Sequence, residues 1–216
     1  MYSPGVEAQL RQRIDAAVND PDARNFITRT GKRADVAEGV GDAWTNSWSQ
    51  VELQQLAGMT QAARQDHIAA RVRAFLDDPT VASARVSQAA VQTGNADLRL
   101  QAQVARAVGA NLIRFNSDVL IRTQSRYTGK VKYNPLTDID VETTKAIIEV
   151  TTQADAGGKI VQLQVLLGAE ANPQGKPVLH FMPNATAGAE AVLMANGCQG
   201  VYRDLPSLMA ALNALP

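Results

Sequence analysis

The stretch Leu136-Thr137-Asp138-Ile139-Asp140-Val141-Glu142-Thr143-Thr144-Lys145-Ala146-Ile147-Ile148-Glu149-Val150-Thr151-Thr152 decides the reading of this chain. Acidic and apolar residues alternate in its first half, the period of a half-buried strand. Alternation puts Asp138, Asp140 and Glu142 on one face and Ile139 and Val141 on the other. A turn about Thr144-Lys145 folds residues 146–152 back as an antiparallel partner and sets Asp140 across from Glu149. Glu149 is embedded in Ile147-Ile148-Glu149-Val150, an apolar run expected to be buried. Like charges facing each other across a ladder destabilise it. A buried carboxylate pair therefore needs a shared proton, an arginine or a divalent cation. Oxygen ligands so placed suit Mg²⁺ or Mn²⁺, which bind through few carboxylates and leave positions for water and phosphate. The expectation hangs on register, because a slip of one residue would send the two acids to opposite faces.

Downstream, Gly157-Gly158 precedes a helical pattern over 159–167. Lys159 falls in its first turn, where the helix macrodipole disfavours a cation. It is better placed there if it reaches an anion, such as a scissile phosphate or the acids themselves, and Gln162 shares its face. Pro177-Val178-Leu179-His180-Phe181-Met182 reads as a short buried strand, followed by a helix over 187–195, a strand over 200–203 and a helix over 205–215. Upstream lie a helix over 97–110, with Leu100, Val104 and Val108 on one side, and strand character near 119–122 and 130–133. The order helix, three strands, helix, strand, helix, strand, helix predicts an α/β domain on a mixed sheet. Residues 1–95 read as helices. Val6, Leu10, Ile14 and Val18 share a face, Thr60 caps a helix striped by Ala63, Ile68, Val72 and Phe75, and an alanine-rich helix covers 80–91. Thr93-Gly94-Asn95 breaks the pattern, which divides the chain into a helical domain, 1–95, and an α/β domain, 96–216.

The 216 residues carry 21 Lys+Arg against 21 Asp+Glu, with 45% apolar and 5% aromatic residues, which excludes a disordered charged tail. One cysteine excludes an internal disulfide, and no Cys/His cluster offers zinc ligands. No apolar run reaches the ~20 residues of a membrane helix, and Met1-Tyr2-Ser3-Pro4-Gly5-Val6-Glu7 has no signal-peptide pattern. Neutrality hides an asymmetry. From Asp97 to Lys132 seven basic residues face two acids, and from Tyr133 onward four face eight. Arg114, Arg122, Arg126, Lys130 and Lys132 are the candidates for phosphate contacts with a nucleic acid, beside Arg99 and Arg106. Among single residues, His180 reads as a hydrogen-bonded core histidine and His67 as a surface one. Cys198 has neither a nearby histidine nor a helix N-terminus to depress its pKa, so it is not expected to act as a nucleophile, and Trp44 and Trp48 have core spacing.

Asp140, followed nine residues later by Glu149 at the end of an apolar strand, resembles the PD-(D/E)XK nuclease superfamily, whose core is the restriction-endonuclease fold. The resemblance implies that Asp140 and Glu149 bind the metal, Mg²⁺ or Mn²⁺. A lysine two residues after the second acid orients or activates the attacking water in that superfamily, but Thr151 stands at that position here. Lys159 is then the candidate for a displaced lysine, Gln162 is similar to the glutamine of the following helix, and Asp138 is a supporting acid. The segment from Lys176 to Gly188, with Gly197 and Val201-Tyr202-Arg203-Asp204-Leu205-Pro206-Ser207-Leu208, is similar to the ends of nuclease toxin domains at the C-termini of bacterial contact-dependent inhibition and polymorphic toxins. The resemblance, over about residues 100–215, implies cleavage of tRNA or DNA, export within a larger toxin or as an effector, action in the cytoplasm of a target bacterium, and a cognate immunity protein. The helical segment ahead is similar to a delivery-related portion. Two rivals stay open: a non-catalytic α/β module that binds nucleic acid or protein, suggested by Thr151, and a glycoside hydrolase using the paired carboxylates. The few aromatic residues argue against the latter.

Overall fold

The computed structural model describes residues 48–91 and 94–216. The helix expected over 6–18 and Trp44 lie outside the described residues. Helix α1 (Gln50–Ala57) opens on a capping box, in which the Ser49 hydroxyl accepts the Glu52 N–H and the Glu52 carboxylate accepts the Ser49 N–H. Helix α2 (Gln61–Leu76) starts at Thr60, as expected, with the Thr60 hydroxyl accepting the Ala63 N–H. Its buried face is Gln65, Ile68, Ala69, Val72 and Leu76. The expected stripe holds at Ile68 and Val72, whereas Ala63 is exposed and Phe75 half-buried. Helix α3 (Pro79–Ala90) follows.

The mixed part of the chain runs α4 (Ala96–Val108), a 3₁₀ turn (Gly109–Asn111), β1 (Leu112–Gln124), β2 (Val131–Thr143), β3 (Ile147–Val150), α5 (Lys159–Leu167), β4 (Val178–Phe181), α6 (Ala187–Ala195), β5 (Gly200–Tyr202) and α7 (Leu205–Ala214). This is the expected α/β order. The strand signals near 130–133 and 138–143 merge into the single strand β2. Pro135 between them occupies an exposed position, where a missing N–H donor is tolerated.

The five strands form one sheet in the order β1-β2-β3-β4-β5, with β2 and β3 antiparallel and β3, β4 and β5 parallel. Val141 pairs with Ile148 and Glu142 with Ile147, the register that the Thr144-Lys145 turn predicts. Thr143 fixes that turn. Its N–H donates to the Ala146 carbonyl at 2.8 Å, and its hydroxyl oxygen accepts the Ala146 N–H at 2.9 Å.

Two compact units divide the described residues, 48–81 with 120–134 and 82–119 with 135–216. The boundary read at residue 95 falls inside the second. In the first unit, the buried Trp48 meets His67 edge to face and carries Arg71 over its ring. Asp66 accepts hydrogen bonds from Arg122 and from the Tyr133 hydroxyl. In the second unit the sheet is covered on both faces. Val104 and Val108 of α4 and Leu208 and Leu212 of α7 pack with Val141, Ile148, Val150, Leu179 and Phe181. Leu163 and Leu166 of α5 and Leu193 of α6 pack with Ile139, Ile147 and Val178. No helix among the described residues is long and apolar enough to cross a membrane.

Ile148 is fully buried at the centre of the first of these clusters. Ile148→Ala should lower unfolding free energy by about 2–5 kcal/mol in urea denaturation. A loss below about 1 kcal/mol would show that the layer does not close around β3.

Candidate active site

Glu149 follows from strand periodicity. Ile148 and Val150 face α4 and α7, so Ile147 and Glu149 face the opposite layer, that of α5. Its side chain is 0% exposed, and neither carboxylate oxygen has a hydrogen-bond partner among the described residues. Lys159 Nζ stands 3.6 Å from Glu149 Oε2 and donates to Gln162 Oε1 at 2.9 Å. Gln162 in turn directs its Nε2 at Asp138 Oδ1, 3.4 Å away. The first turn of α5 thus brings Lys159 to the acids across the loop that follows β3.

Asp140 is also buried, but its surroundings are opposite in kind. Its Oδ2 accepts the Val150 N–H at 2.7 Å and its Oδ1 accepts from Gln101 Nε2 at 2.7 Å. The simple alternation expected for this strand fails here. Ile139 and Val141 join cores on different sides of the sheet, because the Asp140 carboxylate takes the Val150 N–H and the described β2–β3 pairs end at Val141. Gln101 is oriented by Asn116, whose Nδ2 donates to Gln101 Oε1 at 2.8 Å. Asn116 sits at φ 47°, in the left-handed region that asparagine tolerates better than most residues. Its carbonyl accepts a hydrogen bond from Arg85 of α3. A relay from Arg85 through Asn116 and Gln101 therefore sets the Asp140 carboxylate.

Burial drives the electrostatics. Desolvation lifts Asp140 from the usual 3.8 to about 6, against the pull of the Val150 N–H and of the Lys159 charge. Glu149 is pushed well above the ordinary carboxylate range, first by desolvation and then by Asp140. Lys159 and the Asp140 backbone N–H pull the other way without reaching hydrogen-bonding geometry with the Glu149 oxygens.

The remaining expected residues are dispersed. Thr151 is buried at the end of β3, where its hydroxyl accepts the Gln153 N–H at 3.2 Å. Asp97, in the first turn of α4, accepts both the N–H and the hydroxyl of Thr152, each at 2.7 Å, and so anchors the same strand end. Arg114 forms an ion pair with Glu142, as does Lys176 at 2.7 Å. Glu142 is thereby occupied away from the acid pair. Arg122, Arg126, Lys130 and Lys132 belong to the first unit. There Arg122 is bonded to Asp66, while Arg126, Lys130 and Lys132 are exposed.

Five positions depart from, or were missed by, the sequence reading. His67 is half-buried against Trp48 rather than a free surface residue. Cys198 does have a histidine beside it, with His180 Nδ1 3.3 Å from its sulfur, although burial pushes the thiol up rather than down. Gln101, Asn116 and Arg85 carry no sequence signal, since an isolated polar residue on a helix gives no sign of the acid it will meet.

Among the described residues no group of three or more His, Cys, Asp or Glu is gathered closely enough to hold a metal ion. The acid pair fits a divalent cation on other grounds. Two adjacent buried carboxyls repel each other when ionised, and the oxygens of Glu149 have no hydrogen-bond donor among the described residues. Comparison with protein-family models, curated proteins and solved structures finds no match.

Both acids titrate higher in the fold than in the unfolded chain, so unfolding releases protons and stability falls as pH rises, from 3.8 through about 6 for Asp140 and from 4.5 to well above it for Glu149. Metal-free protein should therefore lose melting temperature across that window and stay lower at pH 8. Glu149→Gln, which removes one charge at constant volume, should melt several degrees higher than wild type at pH 8 and converge with it at pH 4. A Glu149→Gln variant less stable than wild type at pH 8 would contradict the repulsion.

Proposed function

We propose that the chain is a metal-dependent nuclease that hydrolyses phosphodiester bonds in tRNA or DNA. The observation that carries the reading is the buried pair Asp140 and Glu149, with unpartnered oxygens on Glu149 and the Lys159 ammonium 3.6 Å away. Asp140 and Glu149 would hold Mg²⁺ or Mn²⁺. The bound ion supplies Lewis acidity, polarising the phosphodiester and lowering the pKa of a water. The Arg85–Asn116–Gln101 relay keeps Asp140 in a single rotamer. Lys159, held by Gln162 rather than by motif position Thr151, positions the attacking water or stabilises the negative charge developing on phosphorus. Gln162 keeps the lysine aligned and is itself tied to Asp138. Arg126, Lys130 and Lys132, exposed in the first unit, are candidates for phosphate contacts without base specificity, considered apart from the acid pair.

The resemblance of the Asp140–Glu149 hairpin and of residues 176–208 to nuclease toxin domains supports a narrower reading. On it, the chain is the toxic tip of an interbacterial toxin, delivered to a target bacterium's cytoplasm and neutralised by an immunity protein. A second reading, a nucleic-acid- or protein-binding module without chemistry, is favoured by Thr151, which stands where the superfamily carries its lysine.

Purified protein incubated with plasmid DNA and with total tRNA, with Mg²⁺ or Mn²⁺ and with EDTA, separates the two readings. The nuclease cleaves one substrate only with metal. Asp140→Ala, Glu149→Ala and Lys159→Ala should each reduce cleavage at least about 100-fold while remaining folded, a loss of about 2.7 kcal/mol or more in transition-state stabilisation. A folded wild-type protein that cleaves neither substrate with either metal would establish the binding module instead.

A further inference from the structure

Glu149 is not the only fully buried group with an unused electron pair at this place in the sheet. His180, on the neighbouring parallel strand, pairs in register with Glu149, so the two side chains leave the same face side by side. His180 is 0% exposed, and its Nε2 has no hydrogen-bond partner among the described residues. The other ring nitrogen is engaged, with Nδ1 3.3 Å from Cys198 Sγ. The Cys198 thiol has one hydrogen and directs it at the Gly200 carbonyl, 3.1 Å away. Its sulfur is then the acceptor, Nδ1 carries the ring hydrogen, and Nε2 is left as a bare lone pair. A neutral histidine with one N–H fixed by a second group and the other nitrogen free is the arrangement of a metal ligand.

We infer that Glu149 and His180 together form a mixed oxygen–nitrogen cation site, in which His180 Nε2 selects Mn²⁺ and other transition ions over Mg²⁺. The inference rests on the metal-dependent reading above and deepens it. Each Asp140 oxygen accepts one hydrogen bond, from Gln101 or from Val150, and keeps a second electron pair for the ion, whereas the Glu149 oxygens and His180 Nε2 have no hydrogen-bond partner among the described residues. Imidazole nitrogen favours later first-row ions, whereas an all-oxygen set suits Mg²⁺.

The test uses tag-free, metal-free full-length chain and needs no cleavage assay. MnCl₂ and MgCl₂ are titrated against thermal unfolding, and the Mn²⁺-loaded protein is examined by electron spin-echo spectroscopy for coupling to ¹⁴N. Wild type should bind Mn²⁺ at least about 10-fold more tightly than Mg²⁺ and show directly bound imidazole nitrogen. The chain has only two histidines, so His67→Gln should keep the nitrogen signal and His180→Gln should lose it. His180→Gln should also bring the two affinities within about 3-fold while Mg²⁺ binding persists, and Glu149→Gln should lose both ions. Bound Mn²⁺ without nitrogen coupling in the wild type overturns the inference even if His180→Gln does not fold, and leaves the nuclease reading standing. Binding of neither ion overturns both.

Discussion

A carboxyl group buried without a hydrogen bond is the constraint around which the second unit is arranged. Glu149 is fully enclosed, lies beside the buried Asp140, and finds no donor for either oxygen among the described residues. Leaving a buried polar group unsatisfied costs about 1–3 kcal/mol, and more if it is charged. A fold retains such a group when something outside the chain completes it or when it keeps a proton. Lys159 moderates the cost but, at 3.6 Å, does not remove it.

The two acids are treated unequally, and that inequality gives the site its direction. Asp140 is oriented by hydrogen bonds from the Val150 N–H and from Gln101, which Asn116 in turn orients, so its geometry is fixed before any ligand arrives. Glu149 has no such hydrogen bonds among the described residues and meets only the Lys159 ammonium, 3.6 Å away, on the α5 face of the sheet. Its oxygens, without a hydrogen bond among the described residues, lie on the α5 face, where Lys159 and His180 are also found. One acid is thus set and the other available, a division that preorganises a site without filling it.

Much of the hairpin was legible because its determinants are local. Alternation from Asp138 to Glu142, the Thr144-Lys145 turn and the apolar run at Ile147 together specify the β2–β3 register, and the observed pairs match it. Lys159 was legible through its odd place in the first turn of a helix. The relay was not, because Gln101 lies 39 residues from Asp140 and Asn116 lies 15 from Gln101, and only the packing of α4 on the sheet brings them together. The His180–Cys198 pair was hidden for the same reason, since 18 residues and the crossover through α6 separate its members. The failed alternation at Ile139 has a different origin. A side-chain carboxylate replaced a backbone partner for Val150, a substitution that hydrophobic patterning does not encode.

The central claim is that the Glu149 carboxyl is held out of its ordinary ionisation range until a cation completes it. Isotope-edited infrared spectroscopy of protein carrying ¹³C-labelled glutamate, with Glu149→Gln subtracted to isolate the one group, measures this directly. The account predicts a protonated carboxyl band that persists in metal-free protein well above the usual range of glutamate and converts to the ionised form, at the same pH, when Mn²⁺ or Mg²⁺ is added. A carboxylate already ionised at pH 5 without metal, and unchanged by either ion, would contradict it.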